Sequence, residues 1–234
     1  MQTAEVACPS CGASHLKKNG TTPQGKQRYK CKECNKGFLF ALSYTYRACN
    51  PLVRELIVPM TLNASGVRDT ARVLRISPTT VLGVLRQAAA QISEPRLPWH
   101  IKELEIDEQW SFVHDKKQQH WLWYGLNRRT GRIAAFVLGR RTDQSCRQLC
   151  AKLERCQIEN FYTDDWQSYA KSLDPERHHI SKQGTQNIER KNLNFRTHLK
   201  RLQRKTICFS KSFEMHYNVL KLYLHALNAN QHHF

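Results

Sequence analysis

The sequence predicts an α/β domain over its C-terminal half, preceded by a small metal-held module and a short all-helical one. Three observations carry this reading. Four cysteines fall in two CxxC pairs between residues 8 and 34. Residues 51–92 show helical patterning only, and they run into Ser93-Glu94-Pro95-Arg96-Leu97-Pro98, where two prolines in four residues break a helix. From Ile101 the pattern switches to period-two alternation, then to helix and strand in turn. The expected division is 1–45, 46–94, a linker at 95–100, and 101–234.

Charge narrows the partners. The 234 residues hold 37 Lys and Arg against 19 Asp and Glu, a net of +18. The excess is even along the chain, with 14 basic and 5 acidic residues in 1–100 and 23 and 14 in 101–234. Such a surface suits a phosphate backbone, because neutralising phosphates releases condensed counterions. No apolar run reaches 18 residues and no secretory signal is recognisable, so we expect a cytoplasmic protein with no membrane partner. Nine cysteines is an odd count, and the CxxC spacing favours metal over disulfides.

In the first module, Cys8-Pro-Ser-Cys11 and Cys31-Lys-Glu-Cys34 form two knuckles with 19 residues between them. Each knuckle turns two thiolates toward one ion, and the two together close a tetrahedral structural Zn²⁺ site. A segment this short has little room for an apolar core, so the metal supplies much of its folding energy. The pattern is that of a zinc ribbon. Arg28 and Lys30, on the strand leading into the second knuckle, are placed to touch DNA.

The second module carries its information in GVRDTARVLRISPTTVLGVLRQ, Gly66–Gln87. Ala71, Val73 and Leu74 give a first helix its apolar face, and Arg75-Ile76-Ser77 is a tight turn. Ser77 is placed as N-cap and Pro78 at the first helical position of a second helix. Val81, Val84 and Leu85 form the buried face of that helix. The spacing predicts a helix-turn-helix whose second helix enters the major groove, with Thr79, Thr80 and Arg86 turned toward bases or phosphates.

In the third module, Leu104, Ile106, Trp110 and Phe112 share one strand face, and Glu105, Asp107, Gln109 and Ser111 the other. Trp121–Asn127 and Arg132–Leu138 read as the next strands, joined by a hairpin turn at Arg128-Arg129-Thr130-Gly131. An amphipathic helix over 143–155 follows, then a short apolar strand, Ile158–Tyr162, suited to a buried parallel pair. A short helix at Asp165–Leu173, a fifth strand at His178–Lys182 and a helix at Asn187–Gln203 come next. Phe213–Leu227 closes the chain as a helix with Phe213, Tyr217, Leu220, Leu224 and Leu227 on its apolar side, a candidate oligomer interface. Three antiparallel strands, helix, strand, helix, short strand, helix is the order of an RNase H-like fold. In that fold the first strand, the end of the fourth and a following helix meet at one edge.

Three isolated acids stand at those places. Asp107 lies mid-strand on the polar face, Asp164 just past the fourth strand, and Glu189 inside the basic run NIERKNLNFRTHLKRLQRK. Hard divalent cations take oxygen ligands, and a pair of them serves both the nucleophile and the leaving oxygen in phosphodiester chemistry. We therefore expect Asp107 to bridge two Mg²⁺ (or Mn²⁺) ions, with Asp164 and Glu189 binding one each. Asp165 is an alternative to Asp164, although its place at the start of a helix suits a cap. Glu108 alternates to the side of Trp110, away from the polar row. Asn192 and Arg196 share a helix face with Glu189 and are placed to hold phosphate. From Arg190 to Lys211 there are eight Lys and Arg and no acid, so Arg190, Lys200 and Arg204 are expected to track a DNA backbone. Lys182 approaches from the fifth strand.

The segments IDEQWSFV, YTDDWQSY, HHISKQGTQNIERKNLNFRTHLKRL and ICFSKSFEMHYNVLKLYL resemble the catalytic half of transposases of the insertion sequence 1 family. CPSC…QRYKCKEC with the helix-turn-helix resembles their N-terminal half. The resemblance implies a bacterial, nucleoid-associated DDE transposase with Asp107, Asp164 and Glu189 at the catalytic positions. It implies binding of terminal inverted repeats, cleavage to free 3′-hydroxyls, and joining to target double-stranded DNA. One departure is Asp165, where the family motif TDGW has glycine. Pairing two DNA ends calls for a homodimer or higher homo-oligomer. A different class of reading is a sequence-specific DNA-binding regulator with an idle nuclease domain, which the three intact acids argue against.

Overall fold

The computed structural model describes residues 6–23, 25–39 and 46–229. The expected module ends at residues 1, 45 and 234 lie outside the described residues. The N-terminal sheet is antiparallel in the order β1 (Leu16–Thr21), β2 (Gln27–Cys31), β3 (Gly37–Leu39). Among its described residues only Cys8 and Cys31 are buried. This small sheet has no apolar core of its own.

Four helices follow: α1 (Pro51–Glu55), α2 (Ile57–Leu62), α3 (Val67–Leu74) and α4 (Pro78–Ala90). Ser77 Oγ accepts from the Thr80 amide at 3.1 Å, and Pro78 opens α4, as the capping pattern predicts. Arg75 sits in the left-handed region at φ 54°, ψ 49°, which reverses the chain between α3 and α4. The inward face of α3 differs from expectation. Thr70, Ala71 and Leu74 are buried, whereas Val73 is 61% exposed. At about 100° per residue the buried arc runs from Thr70 through Leu74 to Ala71, and Val73 lies about 60° beyond its Thr70 end.

The C-terminal half is a five-stranded sheet in the order β6-β5-β4-β7-β8. Its strands are β4 (His100–Val113), β5 (Asp115–Asn127), β6 (Ile133–Gly139), β7 (Gln157–Thr163) and β8 (His178–Ile180). The first three are antiparallel; β7 runs parallel to β4 and β8 parallel to β7. The helices are α5 (Asp143–Leu153), α6 (Gln167–Ser172), α7 (Gln186–His198) and α8 (Phe213–Asn228). Strand alternation sends Leu104, Ile106 and Trp123 into one core with Leu149, Leu153 and Tyr169 of α5 and α6. Leu122, Tyr124 and Leu126 go to the opposite face, with Phe195 of α7 and Val219 and Tyr223 of α8.

That second core also contains Ile57, Leu74, Val81 and Leu85, so the helix-turn-helix and the sheet are packed through α8 into one apolar cluster. Eight residues of α8 are buried, from Met215 to Ala226, while Phe213 is 47% exposed. The helix put forward as an oligomer interface is therefore covered within the chain. The helix expected to run to Gln203 ends at His198, where Leu199 is extended at φ −122°, ψ 99°. Beyond that break the chain makes a short 3-10 turn, Lys200–Leu202, with Leu199 and Leu202 both buried in the core shared with α8. The carbonyl of His198 accepts from the Ala64 amide at 2.8 Å, tying α7 to the end of α2. No helix among the described residues is long and apolar enough to cross a membrane.

Candidate active site

β4 and β7 pair in parallel register, with Leu104 opposite Phe161 and Glu105 opposite Tyr162. The same register carried two residues further sets Asp107 opposite Asp164. Carboxylate oxygens of Asp107, Glu108 and Asp164 lie within 4.8 Å of one another. Such a set of hard donors suits a divalent cation and leaves no softer ligand nearby in the cluster. The structure thus brings Asp107 and Asp164 together. Glu189 lies outside the cluster, exposed on the first turn of α7, and accepts from the Thr185 hydroxyl at 3.5 Å.

Asp107 is held from two sides. Oδ1 accepts from the Glu108 amide at 2.7 Å, and Oδ2 accepts from Asn192 Nδ2 of α7 at 2.6 Å. Burial nevertheless pushes its carboxyl up to about 7, helped by the negative charges of Glu108 and Asp164. Two hydrogen bonds favour the carboxylate; desolvation and two like charges outweigh them.

The sequence expects Glu108 to face away from Asp107, and strand alternation does turn it to the α5 and α6 side. Its carboxylate still lies within 4.8 Å of those of Asp107 and Asp164, just past the end of β7 at Thr163. Its oxygens are already engaged. Oε1 accepts from Arg141 Nε at 2.7 Å, with Arg141 Nη2 also at 2.7 Å, and Oε2 accepts from the Tyr169 hydroxyl at 2.5 Å. Arg141 lies over the rings of Trp121 and Trp166, 5.1 and 4.8 Å from their centroids. Its neighbourhood in sequence, GRRTDQ, gave no signal of this contact.

The aspartate pair at the end of β7 is also arranged differently from expectation. Asp164 Oδ1, not Asp165, accepts from the Trp166 amide at 3.2 Å at the start of α6. Glu105, two residues before Asp107, is fully buried. It accepts from the Ile188 amide at 2.7 Å and from Asn187 Nδ2 at 2.8 Å, so it fastens the first turn of α7 to β4. Burial raises its carboxyl against those bonds and the nearby Arg128. Gly184 lets the turn before α7 press on Tyr162, whose ring a Cβ there would overlap.

The residues expected to meet DNA divide into exposed and committed groups. Thr79, Lys182, Arg190, Lys200 and Arg204 are exposed, as is Arg28 on β2, and Lys30 is half-buried beside it. Arg196 is half-buried, close enough to feel Asp107 and Tyr124, and burial and Arg204 lower its guanidinium. Three are differently engaged. The Thr80 hydroxyl bonds to Ser77 Oγ at 2.9 Å, and Arg86 pairs with Glu214 of α8 at 2.9 Å. Asn192, expected to hold phosphate, is buried, donating to Asp107 and accepting from the Tyr124 hydroxyl at 2.9 Å. Its position on the inward side of α7 follows from its spacing to Phe195, i+3, which is fully buried.

In the ribbon, Cys8 Sγ is 3.5 Å from Cys34 Sγ and Cys11 Sγ 3.6 Å from Cys31 Sγ. All four sulfurs fall within 4.8 Å of one another, which fits the closed thiolate cage of a structural Zn²⁺.

Three family models match the chain. One described as IS1 transposase covers residues 101–233, one described as the InsA C-terminal domain, a helix-turn-helix, covers 44–89, and one described as the InsA N-terminal domain, a zinc ribbon, covers 1–35. The chain is 49% identical over 120 residues to the insertion element iso-IS1n protein InsB of Shigella dysenteriae, 51% of this chain and 92% of that protein. It is 43% identical over 120 residues to the insertion element IS1 4 protein InsB of Escherichia coli K12, 51% of this chain and 72% of that one. The IS1 protein InsB of Shigella flexneri is 42% identical over 120 residues, with 51% and 92% covered.

Proposed function

The chain belongs to the IS1 transposase family, and from that premise we propose that it cuts the ends of its insertion sequence and joins them to target DNA. The observation that carries this reading is the meeting of the Asp107 and Asp164 carboxylates where β4 and β7 lie side by side, with α7 tied to the same strand. In the first step a water oxygen attacks phosphorus at the element's end and the bond to the 3′ oxygen breaks, leaving a 3′-hydroxyl and a 5′-phosphate. In the second, that hydroxyl attacks a target phosphorus; a new phosphodiester forms and a target 3′-hydroxyl leaves.

The residues have separate tasks. Asp107 and Asp164 are the metal ligands of the strand edge, and Glu189 completes the set from α7. Glu108 does not fill that third place, because Arg141 and Tyr169 already occupy its oxygens. Mg²⁺ or Mn²⁺ held there supplies the positive charge that activates the nucleophile and neutralises the leaving oxygen. Asn192 fixes the rotamer of Asp107, and Arg196 sets a cation beside the reacting phosphate. The four-cysteine ribbon with Zn²⁺ and the helix-turn-helix select the inverted-repeat ends, through Arg28, Lys30, Thr79, Thr80 and Arg86. Arg86 exchanges its partner Glu214 for phosphate. Lys182, Arg190, Lys200 and Arg204 carry the backbone past the site. With α8 covered, the homo-oligomer that pairs two ends is joined through another surface.

The test is a strand-transfer assay with Mg²⁺ on DNA carrying the element's own ends. Asp107→Ala, Asp164→Ala and Glu189→Ala are each expected to abolish joining while end binding persists. Activity in Asp164→Ala with loss in Asp165→Ala would exchange the two aspartates. Tight end binding by the wild-type chain with no cutting would replace the transposase reading with that of a DNA-binding regulator.

A further inference from the structure

A second basic surface lies at the far end of the sheet. A cavity of about 580 Å³ opens between the linker after α4, the β5–β6 turn and the last turns of α8. His100 stands on its wall, seven residues of β4 before Asp107, which is roughly 23 Å along a strand. The cavity is therefore separate from the carboxylate cluster.

Its wall is strongly cationic. Arg96 comes from the linker, Arg129 and Arg132 from the turn, and His225 from α8. All four are exposed, and none of the three guanidinium groups has a carboxylate within ion-pair distance or a hydrogen-bond partner among the described residues. The acid of the wall, Glu94, is already paired with Lys152 at 2.9 Å. Lys221 is committed as well, donating to the Ala89 carbonyl at 3.0 Å at the end of α4. That bond ties one lining residue of the cavity to the C-terminal end of α4, the helix expected to read the major groove. Trp99, 81% exposed, stands beside it in the chain.

Three unpaired guanidinium groups converging from two elements onto one concave wall match phosphate oxygens, to which arginine binds through two parallel N–H groups. We propose that this cavity seats the phosphodiester backbone of DNA leaving α4, with Arg96, Arg129 and Arg132 each taking a phosphate. The duplex is thereby held at a point remote from the cutting site, independently of whether the carboxylates cleave.

The experiment measures binding of a non-specific duplex by fluorescence anisotropy across a salt series. Arg96→Gln/Arg129→Gln/Arg132→Gln is compared with the full-length wild-type chain and with Arg147→Gln/Arg155→Gln/Lys171→Gln, which removes three charges from the α5–α6 side. Each lost phosphate contact flattens the slope of log K against log salt by about 0.9, so the first variant is expected to lose about 2–3 in slope and at least about tenfold in affinity. The control is expected to lose less than about 1 in slope. An unchanged slope in the first variant, or equal flattening in both, overturns the proposal. A thermal shift with inorganic triphosphate separates the other source of phosphate. Stabilisation of wild type but not of the first variant, with duplex slopes alike, assigns the cavity to a small polyphosphate and not to DNA. Unchanged melting of the first variant shows that its fold is retained.

Discussion

Asn192 of α7 donates its side-chain amide to Asp107 of β4 at 2.6 Å, and the same side chain accepts from the Tyr124 hydroxyl of β5. One buried amide thus ties the helix carrying Glu189 to the strand carrying Asp107. Asn192→Asp keeps the shape and replaces the donor with a second carboxylate facing the first. At pH 8 and above, where Asp107 is ionised, like charges at this depth cost about 2–3 kcal/mol, in line with the loss of a buried hydrogen bond to a charged group. The variant is expected to melt lower without metal and to regain more stability than wild type when Mn²⁺ is added. Equal recovery in the two proteins would detach Asn192 from the metal site.

Asp107 gives the site a pH dependence. Its carboxyl stands at about 7, raised by burial and then by Glu108 and Asp164, so near neutrality the metal-free protein carries a proton there. A metal ligand must be deprotonated, and metal uptake therefore releases that proton. Affinity for Mn²⁺ is expected to rise about tenfold from pH 6 to pH 8, since the ionised fraction rises by that factor across a pKa of 7. Calorimetry at pH 7 in two buffers of different ionisation enthalpy measures the release directly, expected near one half proton. Release persisting in Asp107→Asn would assign the proton to another group.

Arg141 and Glu108 form a clamp whose worth is conditional. Glu108 is buried and Arg141 is partly exposed, so removing the arginine leaves a buried carboxylate without its counter-charge. Arg141→Met is expected to cost about 3 kcal/mol, less than the full value for a buried pair because Tyr169 still donates. Arg141→Met/Glu108→Met is expected to recover most of it. Urea unfolding of the four proteins of this cycle gives the coupling; a double variant no better than Arg141→Met alone would place the arginine's role in its stacking on Trp121 and Trp166.

These three sites show what the sequence made legible. Asp107 and Asp164 were readable because each marks a strand position, and parallel pairing of two strands brings equal offsets together. The Cys8, Cys11, Cys31 and Cys34 cage was readable because CxxC spacing is itself the geometry of the site. Arg141, Tyr169 and Glu105 were not. Their contacts depend on how loops and helix ends cross the sheet, and no local periodicity encodes that. Val73 and the end of α7 were harder to read: Val73 is apolar by type but falls outside the arc set by Thr70, Ala71 and Leu74, and the basic run after Glu189 keeps a helical pattern past Leu199, where the backbone turns extended.

His216 of α8 supplies an acid-sensitive element away from the metals. It is buried between Ser111 Oγ at 3.0 Å and Ser210 Oγ at 2.9 Å. Burial, then Arg201 and His120, hold it down to about 3, so it stays neutral in the fold. The unfolded chain takes up the proton near 6.5 and the folded chain does not, so stability is full above 6.5 and falls as pH drops toward 3. Between pH 7 and 5 the loss from this group is about 2 kcal/mol. His216→Gln is expected to lose that much less over the same interval in urea unfolding, and equal losses would mean that the imidazole charges within the fold.

The ribbon's dependence on its ion follows from its burial pattern. With only Cys8 and Cys31 buried among the described residues of 6–39, there is no apolar cluster to hold β1, β2 and β3 once the thiolates are released. The helix-turn-helix and the sheet share a separate core in which no ribbon residue takes part. Chelation of Zn²⁺, or Cys31→Ser, is therefore expected to unfold the ribbon alone, because the metal's binding energy is its folding energy. Limited proteolysis is expected to cut between Lys17 and Lys36 in the treated protein and leave the remainder intact, with the main thermal transition unmoved. If that transition falls together with the ribbon, the ribbon is docked on the rest of the chain and does more than present Arg28 and Lys30 to DNA.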